Sequence, residues 1–447
     1  MPESTHKRFL KRVPSILRKL RKKRRQQRAL LLRKVRVAED FKQLELLDTF
    51  HRAIRPYLCL AQIFGMMPLT NVWSKNPQAV HFQLRSFSMC FAVIFLMLGG
   101  IKTTRIGIKV FQGGLNAKNM VSLVFFSSGI CICIGFILFA RNWSRLIVPW
   151  SSIDIIMLYP PYAPTKRSLH RQLLMAGGML GAVALVEHFL YYASSYYSYQ
   201  MHVVQCDKNL TNTVFVSYME HEFSDIFDFL PYNELVIFYA FFLNSTFTFI
   251  WNFMDTFIIL ISIGLAQRFQ QFATRVLTLE HCFVPETLWF NLRQHHILLC
   301  ELVELVDAHL SHIILFSCLN NIYFICNKIL AIFTKLRYGI NHAYFWYSLI
   351  FLLGRTCAVF LCASKIHDAS LLPLQVVYAV PSNSWSEEVQ RFTHQLHNQQ
   401  VGLSGCRLYY LTRMSLFGMV ATLVYYEFML LQLDAKGHKQ ELPNLCD

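Results

Sequence analysis

Seven stretches of about 20 mostly apolar residues, the length that crosses a bilayer as a helix, constrain this chain more than any other feature. They occupy 87–106, 120–140, 173–192, 235–265, 313–332, 344–363 and 414–433. Backbone in hydrocarbon must satisfy its own hydrogen bonds, so each reads as a transmembrane helix. Composition agrees. Of 447 residues, 54% are apolar and 15% charged, with 38 Phe, where a soluble domain carries about a quarter charged residues. That balance excludes a soluble enzyme, a disordered chain, a coiled coil and collagen. An eighth stretch, 57–72, is shorter, follows Arg55-Pro56 and contains Pro68. It reads as a helix lying at the cytosolic interface.

Charge orients the spans. The formal net charge is +17, and the segment 1–36 holds 15 Lys and Arg against one acid, Glu3. The run Arg18-Lys-Leu-Arg-Lys-Lys-Arg-Arg25 could mark a nucleic-acid or nuclear signal. Before a membrane body it reads instead as a cytosolic tail obeying the positive-inside rule and touching anionic lipid, with no nucleic-acid partner. No secretory signal peptide is visible. With the N-terminus inside and seven spans, 141–171 falls inside with Arg141, Arg145, Lys166, Arg167 and Arg171, and 193–234 falls outside with six acids and only Lys208. The loop 107–119, with Lys109 and Lys118, runs against this pattern. The C-terminus then lies outside. Of three glycosylation sequons, only Asn209-Leu-Thr211 is outer. Cys206 and Cys446 alone among the 13 Cys fall on the oxidising side, so they are expected to pair.

Polar groups within spans cost free energy and face a cavity or a partner. The third span holds Glu187, His188 and Tyr191; the fourth Trp251, Asn252 and Asp255; the fifth Asn320, Asn321 and Tyr323. The sixth begins with His342, Tyr344, Trp346, Tyr347 and Ser348, and carries Arg355 deeper. Carboxylates and amides hydrogen-bond hydroxyls, and aromatic rings offer flat apolar faces. That mixture suits a polyhydroxylated ligand in a pocket opening outward. It equally suits polar contacts that knit helices together and bind nothing. Soluble-enzyme signatures, cofactor-binding motifs and paired CxxC are missing. His309-Leu-Ser-His312 belongs to an ordinary amphipathic face, so no metal or cofactor is expected.

Before the last span, Ser384-Trp-Ser-Glu387 reads as a capping box for a helix with Val389, Phe392 and Leu396 on one face. The span itself ends Tyr425-Tyr-Glu-Phe-Met-Leu-Leu-Gln-Leu433. Met429 and Gln432 lie about one turn apart, a spacing that suits a pore wall or a buried helix interface. This stretch resembles the signature of insect gustatory receptors, Thr-Tyr, then five mostly apolar residues, then Gln-Phe. Tyr426 and Gln432 match it; Tyr425 stands for the Thr and Leu433 for the Phe. The likeness extends through His51-Arg-Ala, Met67-Pro-Leu, Leu123-Val-Phe-Phe126, Glu187-His188, Leu230-Pro-Tyr, Trp251-Asn-Phe-Met-Asp255, Leu319-Asn-Asn-Ile-Tyr-Phe324, Tyr344-Phe-Trp-Tyr-Ser348, Gly354-Arg-Thr and Leu403-Ser-Gly405. Together these resemble the sugar-receptor branch.

The resemblance implies an all-α membrane protein similar to insect olfactory receptors, with seven spans, a cytosolic N-terminus and an extracellular C-terminus. It implies a ligand-gated non-selective cation channel, a homo- or heterotetramer with other sugar receptors, in the plasma membrane of chemosensory neurons. Its divisions would be a basic tail 1–50, an interfacial helix and lead-in 51–85, a pocket bundle of four spans 86–265, a cytosolic assembly segment 266–312, spans five and six 313–363, a cytosolic assembly helix 364–413, a pore helix 414–433 and an outer tail 434–447. Met429, Gln432 and Leu433 would narrow the pore. Rival readings are a G-protein-coupled receptor, which would need its N-terminus outside, and a sugar transporter, which would be expected to show internal repeats.

Overall fold

The computed structural model describes residues 47–113, 117–165, 167–206, 213–227, 231–280, 282–333 and 336–434; the side chains of 113, 117–119, 333 and 427–434 are not among those described. The tail 1–46, the sequon at Asn209, Cys446, the segment 435–447 and the side chains of Met429, Gln432 and Leu433 therefore lie outside the described residues.

The chain is all-α apart from two minimal hairpins. Its helices are α1 Phe50–Ile63, α2 Phe87–Gly113, α3 Ala117–Arg141, α4 Trp143–Leu158, α5 Leu169–Gln205, α6 Val214–Glu222, α7 Ser224–Phe227, α8 Glu234–Leu277, α9 Glu286–Leu330, α10 Gly339–Leu371, α11 Pro373–Tyr378, α12 Glu387–Asn398 and α13 Arg413–Asp434. Strands β1 (Leu69–Thr70) and β2 (His81–Phe82) pair antiparallel, as do β3 (Ser404–Gly405) and β4 (Tyr409–Tyr410). Among the described residues, six helices are long and apolar enough to cross a membrane, beginning at Phe87, Met120, Leu169, Glu234, Glu286 and Gly339. α13 stands where the seventh is expected.

The expected spans are all helical, yet several helices run well beyond them. Hydropathy registers only the part in hydrocarbon, whereas α8 and α9 continue as amphipathic helices through the segment 266–312. Capping residues set the ends. Asn233 accepts the Leu235 N–H at 3.1 Å to start α8, with Glu234 in the first turn and Arg275 in the last. The start of α5 is capped twice: Ser168 Oγ accepts from Arg171 N, and the Asp48 carboxylate accepts from the backbone N–H groups of Leu169 and His170. The stretch 57–72 is corrected in form. Its helix begins earlier, at Phe50 behind the Thr49 cap, and stops at Ile63. Gly65, at φ 73°, then turns the chain into the β1–β2 hairpin. The capping box is displaced as well. Ser386 caps α12 through the Val389 N–H, and Ser384 belongs to the preceding tight turn. Val389, Phe392 and Leu396 are buried as the periodicity predicts.

α8 is the central helix. In its most apolar 18-residue window 83% of residues are buried, against 22% for α2 and α5. It packs on α10, α5, α3 and α9. Phe247 shows how close these approaches are: a Cβ at Gly99 would fall 2.8 Å from its ring, and one at Gly129 closer still. α2 and α3 thus cross α8 against an aromatic where only glycine fits. At the other end Phe50 stacks on Trp150 with ring centroids 3.8 Å apart, and α1 packs on α5 and α4.

Candidate functional site

Two polar tiers cross the bundle, roughly 10 Å apart along α10, where Ser348 and Arg355 are seven residues apart at about 1.5 Å each.

The deeper tier joins α8, α9 and α10. The Arg355 guanidinium pairs with Asp255 at 2.7 Å, and both side chains are about 1% exposed or less. It also donates to the side-chain oxygens of Asn252 and Asn321. Asp255 in turn accepts the Ser317 hydroxyl and Asn321 Nδ2, the latter at 3.0 Å. Beneath the guanidinium lies the Trp251 ring, 4.6 Å from Cζ. Trp251 packs in turn on Phe125 and Phe324. Asp255, Asn321 and the Arg355 guanidinium bond one another, Asn252 Nδ2 donates to the Thr248 carbonyl, and Trp251 Nε1 has no hydrogen-bond partner among the described residues. Asn320, buried beside them, keeps Nδ2 without a partner among the described residues. Of the predicted ligand residues, Asn252, Asp255 and Asn321 therefore act first as a knot tying three helices.

The second tier, called outer from the charge pattern of the sequence, is built from α5, α6, α8, α9 and α10. Glu187 is buried and accepts the Ser348 hydroxyl at 2.8 Å. One turn on, Tyr191 donates to Glu222 of α6, which also accepts the Ser195 hydroxyl at 2.8 Å. The Tyr191 ring meets that of Tyr344 at 5.8 Å, and Lys328 Nζ lies 4.7 Å from the Tyr344 ring centroid. His188 shares a hydrogen bond with Ser245, and its ring meets Tyr192, whose hydroxyl accepts from Asn244. Asn341 accepts from Ser194 and Ser198. Two carboxylates, one ammonium, several hydroxyls and a wall of tyrosine rings are thus gathered in one layer. Carboxylates that accept hydroxyls beside flat aromatic faces have the chemistry to hold a polyol, by its hydroxyls and by its C–H faces.

The predicted residues therefore separate. Glu187, His188, Tyr191 and Tyr344 meet in the outer tier. Tyr347 donates to the Val183 carbonyl at 3.1 Å, Tyr323 packs edge-on against Phe324, and Trp346 is 48% exposed on the outside of α10. Sequence reasoning passed over Glu222, Ser195, Asn244 and Lys328. Asn244 heads the sequon Asn244-Ser-Thr246, which falls within the fourth expected span. Glu222 counted only as one of six outer acids, although α6 turns it inward. Asp225 does the same from α7, reaching the buried Lys102 of α2 at 3.6 Å. Cys206 is disulfide-bonded; its expected partner, Cys446, is outside the described residues.

Away from the spans, the electrostatics are local. Burial works against the Glu388 carboxylate, but hydrogen bonds and charge from Arg293 and Arg391 outweigh it and hold the group below the usual range. The Arg293–Glu388 pair fastens α12 to the N-terminal part of α9 at 2.8 Å. Nearby, Asp307 of α9 accepts the Ser404 backbone N–H and hydroxyl, anchoring the β3–β4 hairpin.

Similar proteins fit this architecture. An insect olfactory receptor, OR5 from Machilis hrabei, superposes with a TM-score of 0.59 at 13% identity, covering 88% of this chain and 100% of that one. Its complex with eugenol gives 0.58. The likeness establishes the fold. Among curated proteins of Drosophila melanogaster, the gustatory receptor for sugar taste 61a is 56% identical over 94% of this chain and 96% of its own length. The gustatory receptor for sugar taste 64a is 40% identical over 90% and 88%. Gustatory receptor 5a for trehalose is 27% identical over 86% and 85%. The trehalose receptor family matches residues 13–446. With nearly the whole chain inside that match, this protein belongs to the insect sugar gustatory receptor family.

Proposed function

We propose that this protein is a taste receptor for a sugar or related polyol and a subunit of a ligand-gated, non-selective cation channel. The observation that carries the reading is the outer tier, where Glu187 and Glu222 each accept hydroxyls beside the Tyr191 and Tyr344 rings. Its relatives are named for sugar taste and for trehalose, which is the chemistry such a layer suits. The channel half of the reading draws support from α13. Within the single chain α13 packs on α9 and α10, and leaves Phe417, Val420, Val424, Tyr425 and Tyr426 exposed. In a tetramer that uncovered face would meet other subunits or the pore, with Met429, Gln432 and Leu433 toward its outer end and Cys446 tied to Cys206. Sugar opens such a pore only if the open state binds it more tightly than the closed one.

The test is membrane current in a heterologous cell expressing this chain, alone and with a second sugar receptor, during application of sugars and polyols. A cation current that persists in excised patches without nucleotide supports the channel. Sugar uptake without current, or a response abolished by blocking G proteins, overturns it.

A further inference from the structure

Lys102 of α2 takes no part in either tier, yet it is 5% exposed within the first expected span. Its Nζ lies 4.4 Å from the centroid of the Phe126 ring and 5.4 Å from that of Phe223. Its ion-pair partner is Asp225 of α7, at 3.6 Å. An ionisable group buried in a span is costly, and the partner it faces points to its use. Asp225 stands three residues after Glu222, whose carboxylate accepts the Tyr191 and Ser195 hydroxyls in the outer tier. The link between the two acids is stiff. The Phe223 N–H closes α6 on the Met219 carbonyl, and the Phe223 carbonyl accepts the N–H groups of Ile226 and Phe227 at 2.8 and 3.1 Å. Glu222 and Asp225 therefore move as one piece. Tyr218, Met219, Phe223 and Ile226 bury that piece against Ala240 of α8. Apolar burial is non-directional, so it holds the piece down without fixing how it is turned. An ion pair to a second helix supplies that direction.

We propose, on the sugar reading of the outer tier, that Lys102 is a positioning residue for the site: through Asp225 it fixes where Glu222 presents its carboxylate to the ligand. Lys102 itself touches no sugar. It pins α7 to α2, and the short link through Phe223 carries that constraint to Glu222 at the end of α6. When a sugar hydroxyl displaces Tyr191 or Ser195 from Glu222, the pair with Lys102 keeps the carboxylate oriented. Without the pair, the ligand has to order the α6–α7 piece as it binds, and affinity falls by that cost.

The test is a cycle of variants of the full chain, expressed alone and with a second sugar receptor. Each is read as the half-maximal concentration of the most effective of glucose, sucrose, trehalose, maltose and glycerol, normalised to surface expression. Lys102→Met with Asp225→Asn removes both charges together, so neither is left buried and unpaired. That double variant should need about tenfold more sugar, as should Glu222→Gln, the order set by one buried polar contact. The triple variant should shift no further than Glu222→Gln alone, because the pair acts through Glu222. If the double variant does not reach the surface, Asp225→Asn alone, at a side chain 15% exposed, makes the same comparison. Wild-type sensitivity in the charge-free variants, whatever their surface level, overturns the proposal and leaves the pair a packing contact. So does a triple variant whose shift is the product of the two separate shifts. Unchanged sensitivity in Glu222→Gln overturns the sugar reading of the tier itself, and the positioning role with it.

Discussion

A carboxylate that accepts a serine hydroxyl from the next helix can exchange it for a hydroxyl on a ligand, and Glu187 is placed to do so. Glu187→Gln keeps an oxygen for Ser348 and removes the charge. It should leave folded surface protein near wild type and shift sugar sensitivity about ten- to hundredfold, the cost of removing one buried polar interaction with the ligand. Dose–response curves normalised to surface expression check this; unchanged sensitivity with reduced expression would make Glu187 a packing residue only. His51 makes a prediction about pH. Burial, aided by the charge of Arg55, lowers its pKa from 6.5 to about 4. The folded imidazole stays neutral while the unfolded one takes up a proton. Its contribution is therefore complete above about pH 6.5 and falls away as pH drops toward 4, by up to ~3 kcal/mol. Gln at position 51 can still donate to the Ser74 carbonyl without titrating. Between about pH 7.5 and pH 5 the wild-type thermal midpoint should fall further than that of His51→Gln. Parallel declines would show that His51 is not the group responsible.

At the scale of elements, the knot of Arg355, Asp255, Asn252 and Asn321 decides how α8, α9 and α10 sit together. Removing one partner of a buried ion pair leaves the other charged in hydrocarbon, at a cost of about 3–5 kcal/mol. Arg355→Met should strongly reduce folded protein, and adding Asp255→Leu should restore part of it. Yields after gel filtration measure both. Equal losses in the single and double variants would mean that Arg355 acts through something other than its pairing with Asp255. Both side chains were visible in the sequence as polar residues at membrane depth. Their partnership was not, because 100 positions separate them and helical spacing records only which face a residue occupies. The same blindness hid Glu222, which the charge count placed in an outer loop and α6 delivers to Tyr191 and Ser195.

For the whole molecule, the predictions concern orientation and conduction. An epitope after Asp447 should be reachable on intact cells, as the charge asymmetry between 141–171 and 193–234 requires. Labelling only after permeabilisation would reverse the topology. Substitution of Gln432 or Met429 should change ion permeability or resting current, and Glu187→Gln should leave relative permeabilities alone. The opposite pattern in reversal potentials would exchange the roles of pocket and pore.

The sequence by itself determined the fold class, the six described helices long and apolar enough to cross a membrane, and the family. Hydrocarbon imposes length and apolarity on each crossing independently of its neighbours, and motifs such as Trp251-Asn-Phe-Met-Asp255 and Leu319-Asn-Asn-Ile-Tyr-Phe324 are carried intact in the chain. Packing alone decided which polar residues share a layer. Asp255 and Glu187 look alike in sequence, each an acid within an apolar run. One is closed off by an arginine from α10 and by a hydroxyl and an amide from α9, and the other faces a serine and a tyrosine-lined tier. That difference depends on how α5, α8 and α10 are rotated against each other, and the rotation is set by the packing of these three helices on one another, which no single helix specifies.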